Sequence, residues 1–257
     1  VPSYGMAETT LAVTFASLGE GLVIDPVDRQ ALAEAEKAQP APNGGGRDFV
    51  VCGPPMPGYD VEVRDDRGTV LPERHVGRIH VRGPSLMRGY FRRPEETNHV
   101  LDEEGWLDTG DIGYLTGGRL VITGRSKDLI ILNGRNIWPQ DLEWAIEELP
   151  NLRRGDAAAF SIDEGRGEQV VVLVQCRSSE KQQREALRAE VQNILKHAAI
   201  AEARVVLVPP RSLPQTTSGK LSRSRARKDY LAGRFAEPSG EQSESGTNRR
   251  PRISADA

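Results

Sequence analysis

The chain has 257 residues, of which 37% are hydrophobic and 28% are charged, and its formal net charge is −3. This composition is typical of a soluble globular protein, and the length allows one or two domains. No apolar run approaches the roughly 18 residues of a membrane span, so we expect no transmembrane segment. The two cysteines, Cys52 and Cys176, lie far apart in apolar stretches. This placement favours reduced thiols and a cytoplasmic location.

The amino-terminal half predicts a mostly β structure. Residues 1–48 show little regular patterning apart from a short helix over 28–38. Four strand-like runs follow, and DDRG at 65–68 predicts a hairpin turn between two of them. The runs are FVVC, YDVEVR, RIHVRG and RLVITG. We therefore expect a small sheet or open barrel over 49–125.

The pattern changes after residue 126. The predicted order over 127–235 is β-α-β-β-α-β, which is typical of a compact α+β domain. Its first helix begins at Pro139 and its second covers 180–199. In the first helix, the spacing i, i+3, i+4, i+7 predicts one buried face, formed by Leu142, Ala145, Ile146 and Leu149. Residues 236–257 hold one large aliphatic residue and no aromatic one, which predicts a disordered tail.

Three stretches carry side chains suited to chemistry. YGMAETT, at 4–10, sets an aromatic ring and a glycine before Glu8, which could hold a planar ring and a cation. WLDTGDIG, at 106–113, places Asp111 in a predicted tight turn, where a carboxylate can accept two hydrogen bonds from a vicinal diol such as ribose. GRSKDLI, at 124–130, concentrates charge at the joint between the two patterns. Taken alone, the first stretch more often belongs to an ordinary loop, the second to a capped turn, and the charges of the third often mark only a solvated linker.

A fourth stretch, LPQTTSGKLSRSRARK at 213–228, contains Gly219-Lys220. It does not fit a phosphate-binding P-loop, because Pro214 stands five residues before Gly219 and Leu221 follows the lysine. It also carries a cluster of basic residues. No aromatic residues are interleaved with them and the whole chain is acidic, so we expect no nucleic-acid binding.

Together, and in this order, the four stretches resemble the adenylate-forming superfamily of acyl-CoA synthetases, luciferases, peptide-synthetase adenylation domains and fatty acyl-AMP ligases. The resemblance implies an α+β fold, in which residues 1–126 end the large adenylate-forming domain with a β-rich subdomain at 49–125. A small mobile carboxy-terminal domain at 127–235 would follow.

The branch most similar to the chain is that of the fatty acyl-AMP ligases. The similar segments are 11–48, NGRNIWPQDLE and PQTTSGKLSRSRARKDYL. In that branch an insertion, here 11–48, restrains the small domain and disfavours coenzyme A. The acyl group then passes to an acyl carrier protein or a polyketide synthase carrier domain. The other interpretation is that 11–48 is a long surface loop.

The resemblance also implies a role for each site residue. Lys220 would sit between the fatty-acid carboxylate and the α-phosphate of ATP, and Lys127 would be the hinge. Glu8 would bind Mg²⁺, a cation that prefers oxygen ligands. The nucleotide would be bound by Tyr4 stacking on adenine, Gly5 and Met6 lining the adenine slot, Asp111 holding both ribose hydroxyls, and Arg125 donating to the ribose.

Two departures from the family pattern limit this assignment. The first is that Ala7 stands where many members have threonine. The second is that no Ser/Thr/Gly-rich phosphate loop with a lysine occurs, since Asn43-Gly-Gly-Gly lacks both the hydroxyl residues and the lysine. We therefore expect a carboxy-terminal fragment that holds about half of a site and is inactive alone. The predicted activity of the complete enzyme is ATP-dependent activation of a fatty acid, followed by transfer to a carrier protein. The alternatives are a long-chain acyl-CoA synthetase and a non-catalytic remnant that binds a carrier protein.

Overall fold

A computed structural model describes residues 1–42, 46–163, 165, 167–217 and 219–235. These residues form 13 strands and five α-helices, so the α+β class expected from the sequence is confirmed. The predicted disordered tail at 236–257 lies outside the described residues, as does most of the Asn43-Gly-Gly-Gly segment. None of the helices that the structure describes is long and apolar enough to cross a membrane.

The first 50 residues contain more regular structure than their sequence suggests. Strand β1 (Ser3–Tyr4) pairs with β2 (Thr14–Phe15), and β3 (Ile24–Val27) pairs with β4 (Arg47–Val50), each antiparallel. Helix α1 (Arg29–Ala35) begins where the Asp28 carboxylate accepts a hydrogen bond from the Ala31 amide at 2.7 Å, an ordinary N-cap. The predicted helix is therefore present but shorter. Strand β3 was missed because it contains a proline and shows no alternation, and β1 and β2 were missed because each has only two residues.

The predicted sheet is four-stranded and antiparallel, in the order β5-β6-β7-β8. Its strands are β5 (Asp60–Arg64), β6 (Gly77–Arg82), β7 (Leu107–Thr116) and β8 (Arg119–Arg125). Helix α2 (Pro94–Val100) lies in the connection between β6 and β7. The first predicted strand, FVVC, contributes to β4, and the residues after β4 join β8 through a bridge between Val51 and Val121 and through backbone hydrogen bonds of Cys52 and Gly53 with Leu120.

The predicted tight turn at Thr109-Gly110-Asp111 is wrong, since all three residues lie within β7. Between the pairs Arg78–Ile112 and His80–Asp108, β6 has one residue and β7 has these three. They form a bulge, and Gly110 adopts φ +70°, which favours glycine. Turn signals and bulge signals are the same small residues, so the local sequence alone did not distinguish them.

The segment after β8 begins with the hairpin β9 (Ile130–Leu132) and β10 (Arg135–Ile137), of which β10 was not predicted. Helix α3 (Pro139–Glu147) follows. The three-stranded sheet has the order β11-β12-β13, and its strands and helices are β11 (Ala157–Asp163), β12 (Glu168–Gln175), α4 (Lys181–His197), β13 (Arg204–Val208) and α5 (Arg223–Leu231).

Both faces of this sheet are covered, which explains the continuous valine run of β12. Ala157 and Ala159 pack on one side with α3 and α4, while Ala158 and Phe160 pack on the other side with α5. Leu142 and Ile146 of α3 are buried as predicted, and Leu149, just after the helix, is partly buried, but Ala145 is exposed. Glu143, which was not predicted to be buried, is buried. The division into domains at 126/127 stays a prediction.

The hydrogen bond between Tyr114 and Asp25 offers a way to test the packing of β7. The Tyr114 hydroxyl donates to Asp25 at 2.6 Å, and Arg74 also bonds this carboxylate at 2.9 Å. Tyr114→Phe leaves the buried Asp25 without one donor, so we expect a loss of about 1–3 kcal/mol in the free energy of unfolding by urea. Tyr59→Phe, at a partly exposed ring whose hydroxyl contacts Ser85, is the control. Equal losses in both variants would contradict a special role for the Tyr114–Asp25 bond.

Candidate functional site

One cavity of about 290 Å³ brings together residues that are far apart in the sequence. Five predicted site residues line it, namely Met6, Glu8, Asp111, Arg125 and Lys127. They come from the loop after β1, from the bulge of β7, from the end of β8 and from the 3-10 turn that follows it. The end of β8 and the 3-10 turn are consecutive, so the site forms where three segments of the chain converge.

Asp111 lies at the centre of this convergence. Its Oδ2 accepts a hydrogen bond from the Tyr4 hydroxyl at 2.7 Å, and its Oδ1 accepts one from Arg125 Nε at 3.2 Å. Burial raises the pKa of Asp111, although the bonds from Tyr4 and Arg125 oppose the rise. The bulge fixes the carboxylate, since the Asp111 amide donates to the Thr109 hydroxyl and that hydroxyl donates to the Ile79 carbonyl. An anchored carboxylate of this kind can accept hydrogen bonds from a diol.

Tyr4 and Gly5 are not among the residues that line the cavity. Burial and the neighbouring Asp111 raise the pKa of Tyr4, so its hydroxyl stays protonated and donates. A Cβ on Gly5 would lie 1.9 Å from the carbonyl oxygen of Leu11, so only glycine fits this close approach. The stacking of Tyr4 on adenine and the contact of Gly5 with it stay predictions. The structure adds that Tyr4 orients Asp111.

Glu8 is oriented by a residue that the sequence analysis did not identify. The Tyr90 hydroxyl donates to Glu8 Oε1 at 2.8 Å, and the Met87 amide donates to the Glu8 carbonyl at 2.7 Å. Both contacts cross about 80 residues of sequence, so no local pattern could reveal them. Among the described residues, no group of three or more His, Cys, Asp or Glu side chains could hold a metal ion. A single carboxylate still fits Mg²⁺, which keeps several waters and binds substrate phosphates.

Two more polar residues of the cavity were missed. Asp108 accepts hydrogen bonds from Arg78 at 2.7 Å and 3.1 Å, and it also accepts one from the Gly110 amide. Ser126 donates to the Gly110 carbonyl at 3.0 Å. Asp108 stands inside the quoted WLDTGDIG motif, so a second carboxylate at that spacing was the available signal. Its partner Arg78 became visible only through the pairing of β6 with β7.

The two predicted lysines occupy different places. Lys127 lines the cavity, within the 3-10 turn Ser126–Asp128. Lys220 is exposed and is not among the lining residues. Its loop is closed by a bridge between Gln215 and Leu221 and by the Thr216 amide, which donates to the Lys220 carbonyl at 2.7 Å. Lys220 is therefore paired with Thr216 in a tight loop and lies outside the set of residues that line the cavity.

Comparison with known proteins matches both halves of the chain to AMP-binding families. The AMP-binding enzyme profile covers residues 1–91, and the AMP domain of Disco-interacting protein 2-like proteins covers 127–239. A solved structure from a study of fatty acyl-adenylate ligases of E. coli and L. pneumophila superimposes with a TM-score of 0.83 at 41% identity. The superposition covers 92% of this chain and 42% of the chain in that structure. The chain belongs to the AMP-binding, adenylate-forming enzymes.

Two curated relatives of this chain bear different names. A Caulobacter vibrioides protein provisionally named an acyl-CoA synthetase is 54% identical over 240 residues, which are 92% of this chain and 42% of that protein. The Moorena producens protein JamA, a medium-chain-fatty-acid–[acyl-carrier-protein] ligase, is 36% identical over 254 residues, 90% of this chain and 42% of JamA. The chain thus spans less than half the length of these relatives.

The raised pKa of Asp111 predicts a pH effect on nucleoside binding. In its predicted role the ionised carboxylate would accept hydrogen bonds from both ribose hydroxyls, so adenosine affinity should be full above this pKa and fall as the pH drops through it. The fall should begin at a higher pH than for an ordinary aspartate. Asp111→Asn should weaken binding about tenfold or more and abolish the pH dependence.

Calorimetric titration with adenosine between pH 4.5 and 7 measures this effect. Asp60→Asn, at an exposed ion pair with Arg82, serves as the control. Adenosine affinity that is independent of pH in the wild-type chain, or that is unchanged in Asp111→Asn, would contradict the assignment of Asp111.

Proposed function

We propose that this chain is the carboxy-terminal part of a fatty acyl-AMP ligase, which activates a fatty acid with ATP and passes the acyl group to a carrier protein. The observation that carries the proposal is the convergence of Glu8, Asp111, Arg125 and Lys127 on one cavity, with the Lys220 loop on the following domain. The likeness to fatty acyl-adenylate ligases and to JamA supports the choice of a fatty-acid substrate and a carrier acceptor.

The first step would be adenylation. A carboxylate oxygen of the fatty acid attacks the α-phosphorus of ATP, the bond to the bridging oxygen breaks, and pyrophosphate leaves. Both reactants are anions, so a lysine ammonium between them stabilises the charge that builds up in the transition state. Lys220, carried on a closed loop, would supply it, and removal of such a donor costs about 3 kcal/mol. Mg²⁺, held by Glu8, would neutralise phosphate charge.

The second step would be acyl transfer. The thiol of the acceptor attacks the acyl carbon, the bond to the AMP oxygen breaks, and AMP leaves as the proton of the thiol is lost. Lys220 has no part in this step. We infer that rotation at Lys127 exchanges the Lys220 loop for the acceptor, because Lys127 lies at the junction between β8 and the small domain.

The choice of acceptor would depend on contacts between segment 11–48 and the small domain. Arg47 lies 5% exposed between the rings of Phe49 and Trp138, and it forms an ion pair with Asp141 of α3 at 3.0 Å. Burial lowers the pKa of Arg47 to about 10, which leaves it charged at neutral pH. These contacts support an insertion that restrains the small domain, as opposed to a free surface loop.

A second candidate function is acyl-CoA synthesis. The specific observation in its favour is the name of the Caulobacter vibrioides relative at 54% identity. The same cavity and the same lysine would serve adenylation in either enzyme, and only the acceptor differs. Assays with free coenzyme A and with an acyl carrier protein, run in parallel, separate the two. A protein that binds the carrier but forms no acyl-AMP would instead support the non-catalytic alternative.

The two lysines should separate the half-reactions. In a gene product that contains this chain and forms acyl-AMP, Lys220→Ala should lower acyl-AMP formation about a hundredfold and spare transfer from supplied acyl-AMP. Lys127→Pro should spare adenylation and block transfer, because proline fixes the backbone at the hinge. Radiolabelled acyl-AMP formation and gel-shift acylation of the carrier measure the two steps.

Unchanged adenylation in Lys220→Ala would overturn its catalytic role, and loss of both steps in a folded Lys127→Pro would overturn the hinge. The 257-residue chain alone, which spans about 42% of its relatives' length, should form little acyl-AMP. Robust production of acyl-AMP by this chain would contradict that expectation.

The insertion contact predicts acceptor selectivity. Arg47→Met together with Asp141→Leu removes both charges of the buried pair, so neither is left unpaired while apolar volume is kept. We expect the rate with coenzyme A, relative to the carrier, to rise about tenfold as the small domain is released. Arg74→Met is the control, because it breaks an ion pair with Asp25 that does not involve the small domain. An unchanged ratio in the double variant would refute the restraint.

A further inference from the structure

Arg223 joins three parts of the small domain beneath the Lys220 loop. It is the first residue of α5, and Ser222 just before it donates its amide to the Pro214 carbonyl at 2.9 Å, which closes the base of the loop. The Arg223 guanidinium donates two hydrogen bonds to the Glu143 carboxylate of α3, at 2.7 Å and 2.5 Å. Its remaining nitrogen, Nη1, donates to Asp128 at 3.0 Å.

The two carboxylates hold Arg223 with different strength. The Glu143 side chain is 5% exposed, and its Oε1 also accepts a hydrogen bond from the Ala159 amide of β11 at 3.0 Å. A bidentate pair of this kind is strong and geometrically specific. Asp128 accepts a single bond from Arg223 and follows Lys127 directly. The Asp128 bond is therefore the part that connects the loop base to the predicted hinge.

We propose that Arg223 is a positioning residue that makes the Lys220 loop and the residue after the hinge one rigid unit, through Asp128 on one side and Glu143 on the other. This inference rests on the proposed function. A backbone rotation at Lys127 would then move the Lys220 loop together with Asp128 as one rigid body. Without the Asp128 contact, Lys220 would still reach the cavity, but its ammonium group would occupy a wider range of positions there. A misplacement of about 1 Å can cost about a hundredfold in rate.

Asp128 has a second neighbour that any test must separate from Arg223. Its charge contributes to raising the pKa of Asp111, so removing the Asp128 carboxylate also changes the field at the candidate ribose site. Asp128→Ala and Asp128→Asn both remove this charge. Only the asparagine keeps an oxygen that can accept the hydrogen bond of Arg223. The difference between the two variants therefore reports the contact with Arg223 alone.

The experiment compares both half-reactions in these two variants, in a gene product that contains this chain and forms acyl-AMP. Asp128→Ala should lower the adenylation kcat about tenfold with little change in the KM for ATP or in transfer from supplied acyl-AMP. Asp128→Asn should remain near wild type. Asp229→Ala, which breaks an ion pair between α5 and Arg234 in the turn after it, is the matched control and should leave both steps unchanged.

Equal loss in the alanine and asparagine variants would overturn the proposal, as would a parallel fall of adenylation and transfer. A second measurement is independent of activity. Amide hydrogen exchange over 214–222 in the 257-residue chain should be faster in Asp128→Ala than in Asp128→Asn, with α4 unchanged. Equal exchange would again overturn the proposal. A wild-type gene product that forms no acyl-AMP would refute the proposed function, while the exchange measurement would still decide the role of Arg223.

Discussion

The burial of the Asp111 carboxylate is the constraint on which the site depends. A carboxylate removed from water needs donors, and here they come from the first strand, through Tyr4, and from the last residue of β8, through Arg125. The bulge in β7 makes this possible, because its extra residues place Asp111 between the two donors. The start of the chain, the centre of the sheet and the end of β8, two residues before the predicted hinge, all contact this one side chain through Tyr4, the bulge and Arg125.

Helix α3 provides a second organising feature. Asp141 and Glu143 are two residues apart, so they point to different sides of the helix. Asp141 reaches outward to Arg47 at the end of segment 11–48, and Glu143 reaches inward to Arg223 at the base of the Lys220 loop. One short helix therefore contacts both the segment proposed to restrain the small domain and the loop that carries the proposed catalytic lysine.

Regular elements were predictable where a local pattern sufficed. The helical periodicity of α3 correctly placed Leu142 and Ile146 in the core, and the predicted helix over 180–199 is present as α4. Local patterns failed where a polar residue is buried by a distant partner. Glu143 is buried although the periodicity of α3 did not select it, because Arg223, 80 residues later, neutralises it. A similar ambiguity made the Thr109-Gly110-Asp111 bulge look like a turn.

The sequence by itself determined the set of chemical groups and their order, which was enough to indicate the adenylate-forming family and to select Glu8, Asp111, Arg125, Lys127 and Lys220. It did so because these motifs are short and local. Only the tertiary structure decided which groups meet. The bonds from Tyr90 to Glu8 and from Arg223 to Asp128 span 82 and 95 residues. Such pairs follow from strand register and helix packing, which position side chains in space without leaving a periodic trace in the sequence.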